Sequence, residues 1–358
     1  MVLIIDNILT PYEIARYNKI NKDLGGELFV WFHAKSEKNR NWKQFPKIDF
    51  RYQISGNELF QYSFIQFLHA GREQITRIVC CGWNHPVYWY SLVFSKLYSI
   101  RCTLWSGSTK YERSLLRSIS ISFVRIFISM CDDFITYGSR AKDYLKSLGA
   151  KEDKISIYYN SVDVDFFHSK ALLLRKRRSV LRKKYLIPLS NRVILFVGQL
   201  IRRKGIIELL DAFISESGKH PAMTLLIVGN GALRPKIREV IRSHPESSII
   251  QIDHLEYSQI PETYAISDTL ILPSKEEVWG LVVNEAMASM LPVFVSHHAG
   301  SAIDLVNSNK TGYIFDPSAR GIQKSLKNFR QINMKKLVRM GHNAYLRVQS
   351  MSQNNKIY

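Results

Sequence analysis

Two carboxylates separated by seven residues mark the part of this chain best suited to chemistry. Glu277 and Glu285 flank the segment Val278-Trp279-Gly280-Leu281-Val282-Val283-Asn284. An apolar run that ends in a Pro-Ser turn precedes the first glutamate, and a helix-like segment carries the second. This strand, loop and helix pattern predicts the C-terminal edge of a doubly wound sheet, where α/β proteins bind their ligands.

The residues around this pair indicate the class of ligand. Free backbone N–H groups at the start of the predicted helix favour an anionic group such as a phosphate. Carboxylates accept hydrogen bonds from ribose and sugar hydroxyls. A nucleotide sugar carries both kinds of group, so the pattern predicts a site for a ligand of that class.

The segment resembles the E-x7-E signature of retaining GT-B glycosyltransferases of the large family 4. Further segments are similar to that family's motifs and follow in its order: Phe196–Leu200 with Lys204-Gly205, Leu225–Gly231, Leu291–Ser296 with Ala299-Gly300, and Thr311–Phe315. The resemblance is dense from about residue 190 to 317 and looser before that. It implies an α/β, GT-B fold in which two Rossmann-like doubly wound domains face each other across a cleft.

Apolar runs of strand length alternate with helical stretches in both halves, which independently predicts parallel sheets covered on both faces. Strands are predicted at Val2–Ile5, Leu28–Phe32, Ile78–Cys81, Cys102–Trp105, Phe134–Tyr137, Val193–Val197, Thr224–Val228, Ile249–Ile252, Thr269–Leu272, Pro292–Val295 and Gly312–Phe315. We expect an N-terminal acceptor-side domain at 1–165 and a basic linker with a lead-in helix at 166–190. A nucleotide-sugar-binding domain is expected at 191–340, and a short tail or truncated crossover helix at 341–358.

The resemblance implies a role for individual residues of the second half. Glu285 matches the glutamate that holds the donor's ribose hydroxyls; its alternative is a solvated acid favoured by the helix dipole. Glu277 matches the glutamate beside the transferred sugar or departing phosphate, and Lys204 the lysine that neutralises that phosphate. We expect Glu277 and Lys204 to be catalytic, although Lys204 could also be an ordinary exposed lysine. The predicted donor-binding residues are Gly198, Gln199, Arg203, Lys204, Gly229, Gly280, Leu281 and Glu285.

Two positions depart from the family pattern. Gln199 stands where the family has arginine, so either Arg202 or Arg203 is expected to supply the lost phosphate contact. His254 replaces a glycine near the nucleobase pocket, which leaves the identity of the base open.

Aromatic residues provide the acceptor-side candidates in the first half. Trp83, His85 and Trp105 stand at the ends of predicted strands. Indole faces stack on sugar rings, and an imidazole can donate or accept a hydrogen bond. Core packing is an equally good interpretation of each tryptophan.

A net charge of +20 predicts attraction to polyanions. The sequence has no helix-turn-helix, zinc-finger or RNA-binding signature, so we expect an anionic membrane surface as partner and no specific nucleic acid. Basic runs at 175–178 and 182–184 add to this interpretation. The segment Ser114–Met130 contains Arg117 and Arg125 and is too interrupted to span a membrane, which leaves a buried helix or an interfacial helix.

Other features bear on the compartment and on the reaction. Four cysteines without zinc-like spacing and an N-terminus that begins as a buried strand favour the cytosol.

We expect a hexosyltransferase type of enzyme, without a metal site or cofactor, that transfers sugar with retention. Its saccharide acceptor is expected to be lipid-linked, at the inner face of the membrane, in bacterial capsule, O-antigen (lipopolysaccharide) or exopolysaccharide synthesis. A nucleotide-sugar epimerase of the same fold and a non-catalytic polyanion-binding module remain as alternatives.

Overall fold

The computed structural model describes residues 1–34, 45–55, 62–112, 115–218, 220, 222–253 and 255–356, without the side chains of 115–120. The chain forms two compact units. The first contains residues 1–160 together with the residues from 355 onward, and the second contains residues 161–354.

The first unit is a parallel sheet covered by helices. Its strands are β1 (Val2–Ile8), β2 (Leu28–Ala34), β3 (Arg51–Ile54), β4 (Arg77–Cys80), β5 (Arg101–Ser106), β6 (Asp133–Thr136) and β7 (Ile155–Ile157). Its helices are α1 (Pro11–Asp23), α2 (Tyr62–Gly71), α3 (Pro86–Leu97), α4 (Leu115–Met130) and α5 (Ser139–Ser147). The strand order is β3-β2-β1-β4-β5-β6-β7, and every pairing is parallel.

A core lies on each face of this first sheet because successive side chains of a strand point to opposite faces. In β1, Leu3 and Ile5 pack into one core and Val2 and Ile4 into the other. This explains why the strand reads as a continuous apolar run, as parallel strands buried on both faces do.

The second unit repeats this architecture. Its strands are β8 (Arg192–Val197), β9 (Met223–Val228), β10 (Ile249–Ile252), β11 (Thr269–Leu272), β12 (Val293–Ser296) and β13 (Gly312–Phe315). Its helices are α6 (Val164–Arg175), α7 (Arg178–Lys184), α8 (Ile206–Ser217), α9 (Arg234–Ser243), α10 (Ile260–Ile266), α11 (Leu281–Ala288), α12 (Ser301–Leu305), α13 (Ala319–Gln331) and α14 (Met334–Gln353). The parallel strand order is β10-β9-β8-β11-β12-β13.

This division differs from the predicted domain limits at both ends of the second unit. The predicted linker, 166–190, forms α6 and α7, which pack against α10 and α11 inside that unit. The predicted limit at 340 falls within α14, which continues to Gln353 and packs on α11. Asn355 then returns to the first unit, where it accepts from the Tyr159 N–H at 2.9 Å and donates to the Tyr159 carbonyl at 2.7 Å.

Helix α4, which covers most of the segment 114–130, has both buried and exposed apolar side chains. Its residues Val124, Phe127 and Ile128 are buried, whereas Phe123 and Ile126 are exposed beside Arg125. Arg113, the basic residue directly before this segment, lies outside the described residues, and the side chain of Arg117 is not described. Among the helices that the structure describes, none combines the length and the hydropathy required to cross a bilayer.

Three arginines of the basic runs at 175–178 and 182–184 form contacts within the second unit. Arg175 donates to the carbonyl of Ser289 at 2.6 Å, at the C-terminal end of α11. Arg178 and Arg182 pair with the two carboxylate oxygens of Asp268, at 2.7 and 2.9 Å. These three guanidinium groups therefore attach α6 and α7 to the rest of the unit.

Candidate functional site

The predicted donor-site residues lie at the topological switch point of the second sheet. Strand β8 pairs with β9 on one side and with β11 on the other. The connections that follow β8 and β11 therefore leave in opposite directions and open a crevice at the C-terminal ends of these strands. Gly198 and Gln199 follow β8, and the loop from Pro273 to Gly280 follows β11.

Lys204 and Glu277 meet in this crevice. Lys204 ends a 3-10 turn after β8, and its Nζ contacts the Glu277 carboxylate. The same carboxylate accepts a hydrogen bond from the Ser274 hydroxyl at 3.4 Å. Only 13% of the Lys204 side chain and 11% of the Glu277 side chain are exposed. The alternative that Lys204 is an ordinary exposed lysine is therefore wrong.

Gly205 allows the loop after β8 to lie against the loop after β11. Gly205 begins α8 with a φ of +68°, in the left-handed region that favours glycine. A Cβ at this position would collide with the carbonyl oxygen of Pro273. The N–H of Lys275 also donates to the Arg203 carbonyl at 2.8 Å, and Arg203 Nη1 donates to the Glu276 carbonyl at 3.4 Å. Of the two candidate arginines, Arg203 is thus held against the Glu277 loop.

Gly280 ends the loop and begins α11. Its φ is +92°, and a Cβ there would stand 2.8 Å from Leu272 Cδ2 and 3.3 Å from Glu277 Cγ. The first N–H groups of α11, from Leu281 onward, follow directly at the crevice edge, and helix N-termini favour anions. The loop is anchored by Trp279, whose Nε1 donates to Asn284 Oδ1 at 2.8 Å.

Glu285 lies inside the unit, within α11. The residue is only 1% exposed, and its Oε2 accepts a hydrogen bond from the Tyr264 hydroxyl at 2.6 Å. The alternative of a solvated acid is therefore wrong. Burial, and next the charge of Glu285, raises the pKa of Tyr257 above its ordinary value. The two glutamates of the signature thus occupy different environments. Glu277 forms a largely buried ion pair with Lys204, and Glu285 is buried beside the Tyr264 hydroxyl.

Gly198 and Gly229 lie together at the ends of β8 and β9. The Gly198 N–H donates to the Val228 carbonyl at 3.0 Å, and a Cβ on Gly229 would collide with the Gly198 carbonyl oxygen. Gln199 is partly exposed beside them. His254, the second departure from the family pattern, lies outside the described residues.

The three acceptor-side candidates differ in their environments. Trp105 is 2% exposed and packs edge-on against Tyr17 and Tyr158, so it is a core residue. His85 is partly buried: its Nδ1 accepts from the Val87 N–H at 3.3 Å and caps α3, and burial lowers its pKa. Trp83 is partly buried, and its carbonyl accepts from Trp89 Nε1 at 2.9 Å. Trp83 and His85 therefore keep exposed surface.

A buried polar cluster at the end of β1 is absent from the predicted site residues. Asp6 accepts from the Tyr17 hydroxyl at 2.5 Å, and burial, with the charge of Glu13, raises the pKa of Asp6 to about 6. The buried Arg16 contacts Asn160 Oδ1. The sequence signal for this cluster is an aspartate within the apolar run of the first strand.

Comparison with known proteins identifies a family that matches part of this chain. Residues 177–347 match the family model described as Glycosyl transferases group 1. Residues 177–347 of this chain thus carry the domain of that family. The matched segment contains every predicted donor-site residue, and the prediction of a glycosyltransferase agrees with this match. Sulfoquinovosyl transferase SQD2 of Arabidopsis thaliana is 27% identical over 218 residues, which cover 58% of this chain and 39% of that protein. Across eight such curated relatives, the chain spans between 32% and 57% of the relative's length.

Solved structures match this chain over nearly its whole length. Anabaena Alr3699/HepE, in complex with UDP and glucose, is 16% identical with a TM-score of 0.72, covering 98% of this chain and 97% of its own. WaaG, a glycosyltransferase involved in lipopolysaccharide biosynthesis, is 17% identical with a TM-score of 0.69, covering 100% of this chain and 96% of its own. The predicted GT-B type of fold, with two Rossmann-like domains, is confirmed by these matches.

Proposed function

We propose that this glycosyltransferase moves a sugar from a nucleoside-diphosphate donor to a saccharide acceptor, with retention at the anomeric carbon and without a metal ion. The observation that carries the proposal is the contact between Lys204 and Glu277 in the loops that precede α8 and α11, with Glu285 on α11 itself. A lysine and the N-terminus of a helix suit the negatively charged diphosphate of such a donor. Two carboxylates suit its hydroxyl groups.

The donor's phosphate is the centre of the proposed chemistry. In the reaction, the bond between the anomeric carbon and the phosphate oxygen breaks, and that oxygen takes the electron pair. Lys204 and the N–H groups at Gly280 and Leu281 stabilise the growing negative charge, because fixed dipoles act strongly in a site that excludes water. The acceptor oxygen bonds to the anomeric carbon on the same face, and its proton passes to the leaving phosphate.

Glu277 and Glu285 have separate tasks in this scheme. Glu277 holds Lys204 in place and accepts hydrogen bonds from the transferred sugar. Glu285 accepts hydrogen bonds from the ribose and so fixes the nucleotide. Arg203, which is held against the Glu277 loop, supplies the phosphate contact that Gln199 cannot make. The complex of HepE with UDP and glucose supports a nucleotide sugar as the donor of this chain.

We infer a lipid-linked acceptor at an anionic membrane surface, in bacterial surface polysaccharide synthesis. The likeness to WaaG supports this class of pathway. In the first unit, α3 packs on α4 through Trp89 and Phe127, whose rings are 5.0 Å apart. These two helices also carry four exposed apolar side chains, at Val93, Leu97, Phe123 and Ile126. We call these four residues the apolar patch.

Basic residues lie close to the apolar patch along the chain. Arg125 is exposed between Phe123 and Ile126, and Lys96 precedes Leu97. A surface that combines apolar side chains with lysine and arginine suits the interface of an anionic bilayer, where apolar groups insert and cations contact the headgroups. We therefore assign the apolar patch as the membrane-facing surface of the first unit.

Donor binding and turnover test the proposed reaction. UDP, GDP, ADP and their common sugars are screened for thermal stabilisation, because a ligand that binds only the folded state raises its stability. The proposal expects one nucleotide class to stabilise the protein and its sugar to be transferred with retention. Isomerisation of the sugar would indicate an epimerase, and the absence of nucleotide affinity would indicate a polyanion-binding module.

A further inference from the structure

The hydroxyl of Tyr264 lies next to a carboxylate that water scarcely reaches. Glu285 sits in the interior of the second unit, and Tyr264 is fully buried. The 2.6 Å distance between the hydroxyl and Oε2 is that of a short hydrogen bond to a carboxylate. A buried carboxylate is costly unless it is hydrogen-bonded, so such a partner stabilises the group in one orientation.

The tyrosine itself is held firmly. Its ring lies edge-on to Phe167 of α6, with centroids 6.0 Å apart. Its helix, α10, leads into β11 through Asp268, whose Oδ2 accepts from the Val193 N–H at 2.8 Å and from Arg182 at 2.9 Å. The hydroxyl is thus fixed relative to β8 and β11, the two strands that flank the crevice.

We infer that Tyr264 is a positioning residue for the donor site: its hydroxyl orients the Glu285 carboxylate toward the ribose hydroxyls of the nucleotide. This inference rests on the proposed function, since it assumes that Glu285 contacts ribose. A carboxylate offers about four acceptor positions, so a hydroxyl that occupies one of them can orient the group while it also takes part in other hydrogen bonds. Recognition of the ribose then depends on a residue that does not touch the ligand.

A purely structural role for Tyr264 would give a different result. If the hydroxyl only supported packing, its loss would weaken binding of every nucleotide to the same extent. If it orients Glu285 toward ribose, its loss removes the contribution of the ribose hydroxyls and spares the rest of the ligand. The discrimination between a ribose and a dideoxyribose nucleotide therefore separates the two roles.

The experiment uses the full chain and the nucleoside diphosphate, among UDP, GDP and ADP, that gives the largest thermal stabilisation. Its Kd and that of its 2′,3′-dideoxy form are measured by calorimetry for the wild type and for Tyr264→Phe, which keeps the ring. We expect the ribose form to bind the variant about 3- to 10-fold more weakly, a loss typical of one hydrogen bond. The dideoxy form should bind both proteins equally.

Tyr313→Phe is the matched control, because it removes a hydroxyl that contacts Asn309 at 2.6 Å on the exposed side of the same unit. It should leave both affinities unchanged.

Two outcomes overturn the inference: Tyr264→Phe weakens binding of the ribose and dideoxy forms equally, or it leaves the preference for the ribose form unchanged. Should that variant fail to fold, Tyr264→Phe is combined with Glu285→Gln, which removes the buried charge. The combined variant must then show less ribose preference than Glu285→Gln alone, and equal preference overturns the inference.

The proposed function is tested separately by Glu285→Ala. If this variant keeps the wild-type ribose preference, Glu285 does not bind ribose and the donor-site assignment itself fails. If Glu285→Ala loses the preference while Tyr264→Phe keeps it, only the role of Tyr264 is overturned.

Discussion

The Lys204 ammonium contacts the Glu277 carboxylate, although 73 residues separate them along the chain. Each residue comes from a different side of the switch point, one after β8 and the other after β11. The pair therefore connects the two loops of the crevice and also places a cation beside the start of α11. A phosphate that enters the crevice would meet an ammonium that a carboxylate already holds in position.

Lys204→Ala should reduce turnover on the order of 100-fold or more, because it removes a fixed cation from the leaving phosphate. Donor affinity should change less, since the charge on that phosphate grows in the transition state. The measurements are kcat and the Kd of the nucleotide. Lys275→Ala, which removes an ammonium that contacts Glu208, is the control and should leave kcat within a factor of about two. A similarly small effect of Lys204→Ala would remove Lys204 from the mechanism.

Glu285→Ala should weaken nucleotide binding at least several-fold while the fold is kept. The lost hydrogen bonds contribute about 0.5–1.5 kcal/mol each, and more when a buried partner is left unpaired. Calorimetry gives the affinity, and circular dichroism confirms the fold. Wild-type affinity in a folded variant would contradict the ribose role.

Gly280→Ala should destabilise the second unit by about 1–3 kcal/mol, because it combines a left-handed backbone with a steric clash. The measurement is the free energy of unfolding in urea. Gly149→Ala is the matched control: its φ is +110°, but nothing lies within 4 Å of an added Cβ. The difference between the variants measures the close contacts with Leu272 and Glu277. Equal losses would show that the close packing of this loop contributes nothing.

Stability should depend on pH through Asp6, whose pKa is raised from 3.8 to about 6 in the folded protein. Between these values the folded state binds more protons than the unfolded state, so stability falls as pH rises from about 4 to 6. The wild type should lose on the order of 2 kcal/mol relative to Asp6→Asn over this interval. Urea unfolding of both proteins at the two ends of the interval measures this difference. A pH-independent difference between the two proteins would contradict the raised pKa.

The apolar patch should determine binding to anionic vesicles. Phe123→Ser combined with Ile126→Ser should weaken flotation with phosphatidylglycerol vesicles, and higher salt should weaken it further because screening acts over about 8–10 Å. Leu346→Ser removes an exposed apolar side chain of the second unit and serves as the control. Equal binding of the wild type to neutral and anionic vesicles would contradict electrostatic docking.

The sequence predicted the strands that form the middle of each sheet, because their apolar runs are long and unambiguous. It did not predict β3, a four-residue edge strand with a single aliphatic residue and three exposed residues, nor the three-residue β7. Such short edge strands are defined by pairing with a neighbour and have little periodicity of their own.

The site could be predicted only as far as local patterns reach. The motif positions of Glu277, Gly280 and Glu285 are visible in the sequence, but the burial of Glu285 depends on Tyr264, which lies 21 residues away. Likewise, the polar cluster at Asp6 and Arg16 depends on Asn160, 144 residues beyond Arg16. Contacts of this kind are created by the tertiary fold, so residue type and spacing do not reveal them.

The contacts of Arg182 affect how the charge of this protein should be interpreted. Its guanidinium donates to the carbonyls of Ile266 and Asn191 as well as to Asp268. A lysine would keep the charge but could not reproduce this planar, multidirectional set of donors. An Arg182→Lys protein would therefore migrate like the wild type in an electric field and yet melt at a lower temperature. At this position the residue type is specified by geometry, and the positive charge comes with it.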